Sequence, residues 1–414
     1  MTVDLSRIRS VEQAETAGKR VILRADLNVP LKEGEVADTT RIDRILPTVK
    51  LLQEQGAKIV LLSHLGRPKG ERLAEYSLKP VAETLRALLP DTKVHFVQDC
   101  IGAAAAEAID RMKPGEIVLL ENLRYHAGEE ANDRAFADEL AKLGDLYVND
   151  AFSTAHRTHA SNAAITDRLP SFAGLLMLAE IRALEQALED PQRPVMAIVG
   201  GAKISTKIAL LNHLAEKVDI IVVGGGMANT FLFAHGVDIG KSLCEKDAVS
   251  TVEKIEAHAN QSDCEIVLPK DGVTAKALES GVSTETRSIS DVPGDSMILD
   301  VGPETVADLK RRLSEVKTLL WNGPLGAFEV PPFEEGTFEI AREAARLTKA
   351  GKLVSVGGGG DTVAALKAAG VADDFTYVST AGGAFLEWLE GKQLPAVAAL
   401  AGEAEKPAEN IAAT

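Results

Sequence analysis

Short apolar runs rich in valine, isoleucine and leucine recur along the chain, each followed by a longer stretch whose apolar positions fall at helical spacing. In the first half they cover 21–23, 59–62, 94–97, 117–120 and 146–148; in the second, 195–199, 220–223, 266–268, 319–321 and 353–356. Runs that are continuously apolar rather than alternating fit strands covered on both faces, and their alternation with helices fits a parallel sheet. The pattern predicts an α/β protein of two doubly wound, Rossmann-like parallel-sheet domains. Between them Leu175, Leu178, Ile181, Leu184 and Leu188 recur at three and four residues, a single apolar stripe bounded by Pro170, Pro191 and Pro194. This predicts a first domain over 1–174, a linking helix over 175–192 and a second domain over 193–395, with a cleft between the two domains.

At 414 residues, 45% hydrophobic and 26% charged, the chain has apolar material for two cores without disulfides. Cys100, Cys244 and Cys264 are far apart and lack CxxC spacing, which argues against a disulfide framework and a zinc site and fits a reducing, cytoplasmic setting. The first residues carry no apolar signal segment, and no run approaches the ~20 apolar residues of a membrane span. A net charge of −16 excludes general affinity for nucleic acid or an anionic membrane. The charge is uneven: 1–170 holds 23 basic and 26 acidic residues, net −3, while 171–414 holds 22 and 35, net −13.

Ligands of open parallel sheets bind beyond the carboxyl ends of the strands. In the first half those ends carry Asp26 and Asn28, His64 and Arg67, Asn122 and Arg124, then Asn149, Asp150 and Arg157. One such arginine alone reads as a solvated or ion-paired surface residue. Four segments bringing Arg, His and Asn to one edge read as a site for a small polyanion. His64 by itself reads as a structural or hydrogen-bonding histidine, Asp26 as a partner for an arginine or a substrate hydroxyl, and Asn149 and Asp150 as turn formers. Arg41 falls outside the apolar face of its helix, so position alone makes it solvent-facing.

The second half carries glycine at the corresponding places: Gly200 and Gly201, Gly224 to Gly226, and Gly357 to Gly360, each before a helical stretch. Close backbone approach and free helix-start N–H groups suit the phosphates of a nucleotide. Lys203 and Lys207 follow the first of these turns, where the helix dipole disfavours a cation unless an anion is near. Asp361 reads equally as a helix N-cap or a Mg²⁺ ligand through a nucleotide, and Glu329 as solvent-facing or ribose-binding. GxxxxGK[ST] and GxGxxG are both absent, since the nearest approach, Gly236 to Ser242, is one residue short. A dehydrogenase and a non-enzymatic nucleotide sensor remain as competing readings; the missing GxGxxG counts against the first.

Long segments nevertheless resemble one family, phosphoglycerate kinase, nearly end to end: RADLNVP at 24–30, Arg41, SHLGRP at 63–68, ENLRYH at 121–126 and VNDAFSTAHRTHAS at 148–161, then GGAKISTKI at 200–208, GGGMANTFL at 224–232, DVGPETV at 300–306, WNGPLGAFE at 321–329, GGGGDTVAA at 357–365 and STAGGAFLEWLEGKQLP at 379–395. The resemblance implies reversible in-line phosphoryl transfer between 1,3-bisphosphoglycerate and MgADP, giving 3-phosphoglycerate and MgATP in glycolysis, with hinge-bending closure about 171–194 and 379–395, no covalent enzyme intermediate and a cytoplasmic monomer. By resemblance the triose phosphate is bound by Asp26, Leu27, Asn28, Arg41, His64, Leu65, Gly66, Arg67, Arg124 and Arg157. The nucleotide falls to Gly200, Gly201, Lys203, Lys207, Gly225, Gly226, Asn322, Pro324, Glu329, Gly359, Gly360, Asp361 and Thr362, with Asp361 placing Mg²⁺. Arg41, Lys203, Gly382 and Gly383 surround the phosphoryl group in transfer, and the tail 396–414 returns to the first domain. One departure stands out: the family's three glycines in the last motif begin here with Ala381, which is strained if that position needs positive φ.

Overall fold

The apolar runs of the first half become β1 (Arg20–Ala25), β4 (Lys58–Leu62), β5 (Val94–Val97), β6 (Ile117–Leu120) and β7 (Leu146–Asp150), joined by β8 (Ser171–Ala173); a two-residue hairpin, β2 (Leu31–Lys32) and β3 (Glu35–Val36), follows β1. The six long-sheet strands lie in the order β5-β6-β4-β1-β7-β8, every neighbour parallel. Alternate residues serve opposite faces: Val21, Leu23, Ile59 and Leu61 enter one core, while Ile22, Val60 and Leu62 enter the other. That double burial is why the runs are apolar throughout. β8 is too short, and begins on a serine, to show as a run.

The second half forms β9 (Val195–Gly200), β10 (Ile220–Gly224) and β11 (Glu265–Val267), then a separate antiparallel set, β12 (Asp271–Ala275), β13 (Glu285–Ser288) and β14 (Met297–Val301), before β15 (Thr318–Asn322), β16 (Val354–Gly358) and β17 (Tyr377–Ser379). The parallel sheet runs β11-β10-β9-β15-β16-β17, and the small sheet β13-β12-β14. Counting parallel strands alone, the order is 3-2-1-4-5-6, which reverses between β9 and β15. The small sheet did not stand out as a set of apolar runs: β13, ETRS, is polar and mostly exposed, β12 carries a register shift between Val273 and Thr274, and its one apolar run is Met297–Leu299 of β14.

The computed structural model describes residues 3–403. They divide into two compact units: one runs to Glu180 and resumes at Gln393, and the other is Ile181–Lys392. The division falls inside the predicted linking helix, Leu175–Leu184, which continues as a π turn, Glu185–Glu189, and stops before Pro191. The resumed segment forms the helix Pro395–Leu400, whose Ala396 N–H donates to the Ala155 carbonyl at 3.0 Å, and Arg7 pairs with Glu403 at 3.1 Å. Residues 404–414 of the expected returning tail lie outside the described residues. Among the described residues no helix is long and apolar enough to cross a membrane.

Candidate active site

In the first unit the strand order reverses between β1 and β7. Asp26, just past β1, spans that point by accepting from Ser153, just past β7. The same Oδ2 accepts from Arg41 Nη1 at 2.8 Å, and Arg41 Nη1 also donates to the Asn28 carbonyl at 3.0 Å. Asn28 Oδ1 accepts from Gly66 N–H at 2.9 Å, and the Gly66 carbonyl accepts from Arg124 Nη1 at 2.6 Å. A continuous chain of bonds thus ties Asp26, Arg41, Asn28, Gly66 and Arg124 across the ends of β1, β4 and β6.

The solvent-facing reading of Arg41 is therefore corrected. Arg41 stands in the first turn of the helix Thr40–Glu54, where the dipole opposes a cation, and Asp26 supplies the compensating charge. Arg157 is half-buried and Arg67 exposed on the same edge. Leu27 and Leu65 are buried, so only their backbone reaches this edge: Leu27 N–H donates to Ser63 Oγ at 2.9 Å and the Leu65 carbonyl accepts from Asn122 Nδ2 at 2.7 Å. Asn149 and Asp150 shape the turn, with Asn149 Oδ1 accepting from Ala151 N–H at 3.1 Å and Asp150 Oδ1 from Met177 N–H at 2.9 Å.

Behind this edge lies Arg24, wholly buried in β1 and not singled out by the sequence reading. Its Nε donates to Ser161 Oγ at 3.0 Å, and Ser161 in turn donates to Glu129 Oε1 at 2.6 Å; Glu129 is also wholly buried. Arg24 Nη2 meets His64 Nδ1 at 3.1 Å, and because a guanidinium only donates, His64 accepts there and carries its proton on Nε2. Burial first, then Arg24, Arg124, Arg157 and Arg41, hold His64 far below the usual imidazole range. It is a neutral hydrogen-bonding residue, as its position suggested. Burial and then Arg157 press Arg124 down to about 10, and burial and then Arg67 lower Arg157. Guanidiniums crowded closely enough to depress one another mark an edge with excess positive charge awaiting an anion. The legible signal for Arg24 was an arginine between Leu23 and Ala25, at the end of the Val21–Leu23 run, a charge that demands a buried partner.

The second unit gathers its residues at the reversal between β9 and β15. Lys207 is not on one α-helical face with Lys203: a 3-10 turn, Ile204–Thr206, separates them, and the helix Ile208–Lys217 starts only after Lys207. Lys203 is exposed, in extended backbone, whereas Lys207 Nζ turns inward to the Gly200 carbonyl at 2.7 Å, Asn322 Oδ1 at 2.6 Å and the Asn322 carbonyl at 3.2 Å. Burial pushes Lys207 down to about 8, against the opposing charge of Asp361. Asn322 Nδ2 donates to the Gly358 carbonyl at 2.9 Å and Thr362 Oγ1 accepts from Gly323 N–H at 2.7 Å, so both side chains brace the strand ends.

Gly359, at φ 98°, is the N-cap of the helix Gly360–Ala368; the N-cap reading of Asp361 is thereby overturned. Asp361 stands exposed within the first turn, an acceptor free of the capping bond. Gly225, at φ 67°, and Gly226 open the helix Gly225–Ala234, and a side chain at Gly225 would meet the Gly201 carbonyl at 2.9 Å. Gly382 and Gly383 open the helix Gly382–Leu389, whose first-turn N–H groups have no intrahelical partner. Ala381 has φ −94°, so its substitution for glycine brings no strain.

A cavity of about 290 Å³ lies along these strand ends, bounded by Gly201, Gly226, Pro324 and Glu329 on one side and by β14 on the other. Asp300, in β14, accepts from Gly336 N–H at 2.7 Å and Val301 N–H at 2.9 Å, yet burial, with Glu334 and Glu335 nearby, raises its carboxyl to about 7. The folded state then holds a proton that the unfolded chain has lost, so the stability contributed by Asp300 is present below pH ~4 and lost as pH rises through about 7. The unfolding free energy of the protein minus that of Asp300→Asn should fall by up to about 4 kcal/mol between pH 4 and 8. Denaturant midpoints across that range measure it, and a flat difference excludes the raised carboxyl.

Known proteins resemble this chain over nearly its full length. The sequence profile of the phosphoglycerate kinase family matches residues 11–392. The phosphoglycerate kinase of Chelativorans sp. (strain BNC1) is 58% identical over 386 residues, 93% of this chain and 97% of that protein; that of Sinorhizobium fredii is 58% identical over 383 residues, 92% and 96%. Among solved structures, Coxiella burnetii phosphoglycerate kinase matches at TM-score 0.88 and 41% identity, covering 96% of this chain and 100% of that one. The enzyme from Pyrococcus horikoshii OT3 matches at TM-score 0.80 and 30% identity, covering 95% and 98%. With sequence and fold both matched over nearly their full length, this chain belongs to the phosphoglycerate kinase family.

Proposed function

We infer that the chain transfers a phosphoryl group reversibly between 1,3-bisphosphoglycerate and ADP, giving 3-phosphoglycerate and ATP. The observation that carries this is the pairing of a positively charged edge at the β1/β7 reversal with a glycine-lined edge at the β9/β15 reversal, one in each unit. The first suits the phosphate and carboxylate of a triose acid, the second the phosphates of a nucleotide. A coupled assay with 3-phosphoglycerate and MgATP tests it. Absence of ADP at saturating substrate, with nucleotide still binding, would leave a nucleotide sensor instead.

On this reading Asp26, Asn28, Arg41, His64, Arg67, Arg124 and Arg157 hold the triose phosphate, with Leu27, Leu65 and Gly66 offering backbone. Gly200, Gly201, Gly225, Gly226, Gly359 and Gly360 admit the nucleotide closely; Lys203 and Lys207 face its phosphates; Pro324 and Glu329 border the sugar and base. The carboxylate of 3-phosphoglycerate or the terminal phosphate of ADP does the attacking, so the protein supplies placement and charge compensation with no covalent intermediate. Arg41 and Lys203 carry that compensation, and the first-turn N–H groups of Gly382 and Gly383 add to it. Mg²⁺ suits the exposed carboxylate of Asp361, a hard oxygen donor beside the glycine turn, and when bound with the nucleotide it neutralises phosphate charge. The two ligands must meet for in-line transfer, so the reading includes closure about 171–194 and 379–395, which also keeps water from the acyl phosphate. A cytoplasmic monomer free of nucleic acid and membrane completes it.

Lys207 yields a measurable consequence. Near pH 8 a large share of the free enzyme's Lys207 is neutral, and arriving phosphate favours the ammonium. MgADP binding at pH 8 should take up about half a proton. Titration calorimetry in two buffers of different ionisation enthalpy reads the uptake, which Lys207→Met should remove; equal heats in both buffers for the unsubstituted protein would sink the assignment.

A further inference from the structure

We propose that Asp99, Cys100 and His126 form a binding site for a borderline divalent transition-metal ion of the zinc and cobalt class. β5 and β6 are neighbours in the sheet, with Val97 opposite Leu120 at their carboxyl ends. The connection leaving β5 brings Asp99 and Cys100, and the 3-10 turn after β6, Leu123–Tyr125, closes on His126. One ligand atom from each residue lies within 4.8 Å of the others. Their spacing along the chain hides the site: no CxxC is present, and adjacent strand ends supply the third donor.

The donor set decides the ion. A carboxylate oxygen, a thiolate sulfur and an imidazole nitrogen suit zinc or cobalt, whereas magnesium and calcium select oxygen alone. His126 Nε2 and Asp99 Oδ1 already share one proton at 2.7 Å. An ion in place of that proton, at ~2.0 Å from each atom and near the tetrahedral angle, asks them to separate by only roughly 0.6 Å. The proton displaced from between His126 Nε2 and Asp99 Oδ1 moves to Nδ1, leaving the ring neutral as it ligates, and the Cys100 thiol proton passes to solvent.

The surroundings hold the ligands as an outer shell does. Arg72 Nη2 bonds the other carboxylate oxygen, Asp99 Oδ2, while its Nη1 is anchored on the Gln98 carbonyl at 2.9 Å. Cys100 N–H donates to Asp99 Oδ1 at 2.8 Å, and the His126 ring stacks on Phe136 with centroids 5.3 Å apart. The side chains of Asp99 and His126 are 31% and 26% exposed while Cys100 is buried, so an ion enters from solvent and water completes its fourth position. A bound ion pins the connection after β5 to the turn after β6.

Cobalt(II) added to tag-free, chelator-treated protein should bind at one equivalent and produce a thiolate-to-cobalt charge-transfer band. Cys100→Ser and His126→Ala should abolish the band, Cys244→Ser and Cys264→Ser should keep it, and Arg72→Ala should weaken binding roughly 10- to 100-fold. Zinc should displace the cobalt and raise the melting temperature of the unsubstituted protein; magnesium in excess should do neither. No band at saturating cobalt, a band that survives Cys100→Ser, or one that vanishes in Cys244→Ser overturns the proposal. Should Cys100→Ser fail to fold, the partly exposed His126 gives the same test through His126→Ala.

Discussion

Arg41→Ala should lower kcat by about 10²- to 10³-fold while 3-phosphoglycerate still binds within roughly 1–2 kcal/mol of the unsubstituted protein. The expectation follows from how Arg41 is held. One guanidinium nitrogen is fixed by Asp26 at 2.8 Å and by the Asn28 carbonyl at 3.0 Å, which sets the fork before substrate arrives. On the proposed function Arg124, Arg157, Arg67 and His64 remain to hold the triose phosphate, so affinity should survive better than rate. Asp26 keeps its bonds from Asn28 N–H and Ser153, so the edge stays folded. Arg41→Lys restores the charge without the fork and should recover only part of the rate. Steady-state kinetics beside calorimetric binding decide the matter, and near-normal turnover in Arg41→Ala removes that residue from the mechanism.

Lys203→Ala should match that loss in kcat with MgADP affinity again within roughly 1–2 kcal/mol, whereas Lys207→Ala should fail differently. Lys203 is exposed and no strand end leans on it, so on the proposed function its removal should cost charge in the transition state and little stability. Lys207 binds the ends of β9 and β15 together through Gly200 and Asn322. Without it two carbonyls and an amide oxygen lose their donor, at about 1–3 kcal/mol for each group left buried and unpaired. Lys207→Ala should therefore lower the melting temperature and raise the KM for MgADP together. If Lys203→Ala melts early, or Lys207→Ala melts normally, the two roles are wrongly assigned.

Both parallel sheets, and the gathering of polar and glycine residues at their strand ends, were legible because burial on two faces leaves continuous apolar runs that stop where those residues begin. Arg41 was not legible from position, since helical periodicity reports which face meets the core and says nothing of Asp26 fifteen residues earlier in the chain. Lys203 and Lys207 look alike in sequence, two lysines after one glycine turn; only the 3-10 turn between them shows that one stays exposed while the other turns inward. Asp361 lost the N-cap to Gly359 because positive φ there already turns the chain. Arg24, Ser161 and Glu129 are joined across more than a hundred residues, beyond the reach of any local pattern. β12 to β14 escaped because β13 is polar and exposed, β12 mixes Asp, Gly and Thr with two apolar residues, and the Met297–Leu299 stretch of β14 stands alone without an apolar neighbour in sequence to pair with.

That small sheet separates two jobs in the second unit. The glycine turns and Lys207 sit on the parallel sheet, whose six strands are locked in register, while the opposite wall of the cavity, including Met297, Ile298 and Leu299, belongs to β14 of the antiparallel set. If the base lies against that wall, preference for one purine over another is adjustable there, by exchanging side chains on β14, with the phosphate grip and its rate left alone. Selectivity and chemistry are then free to change independently.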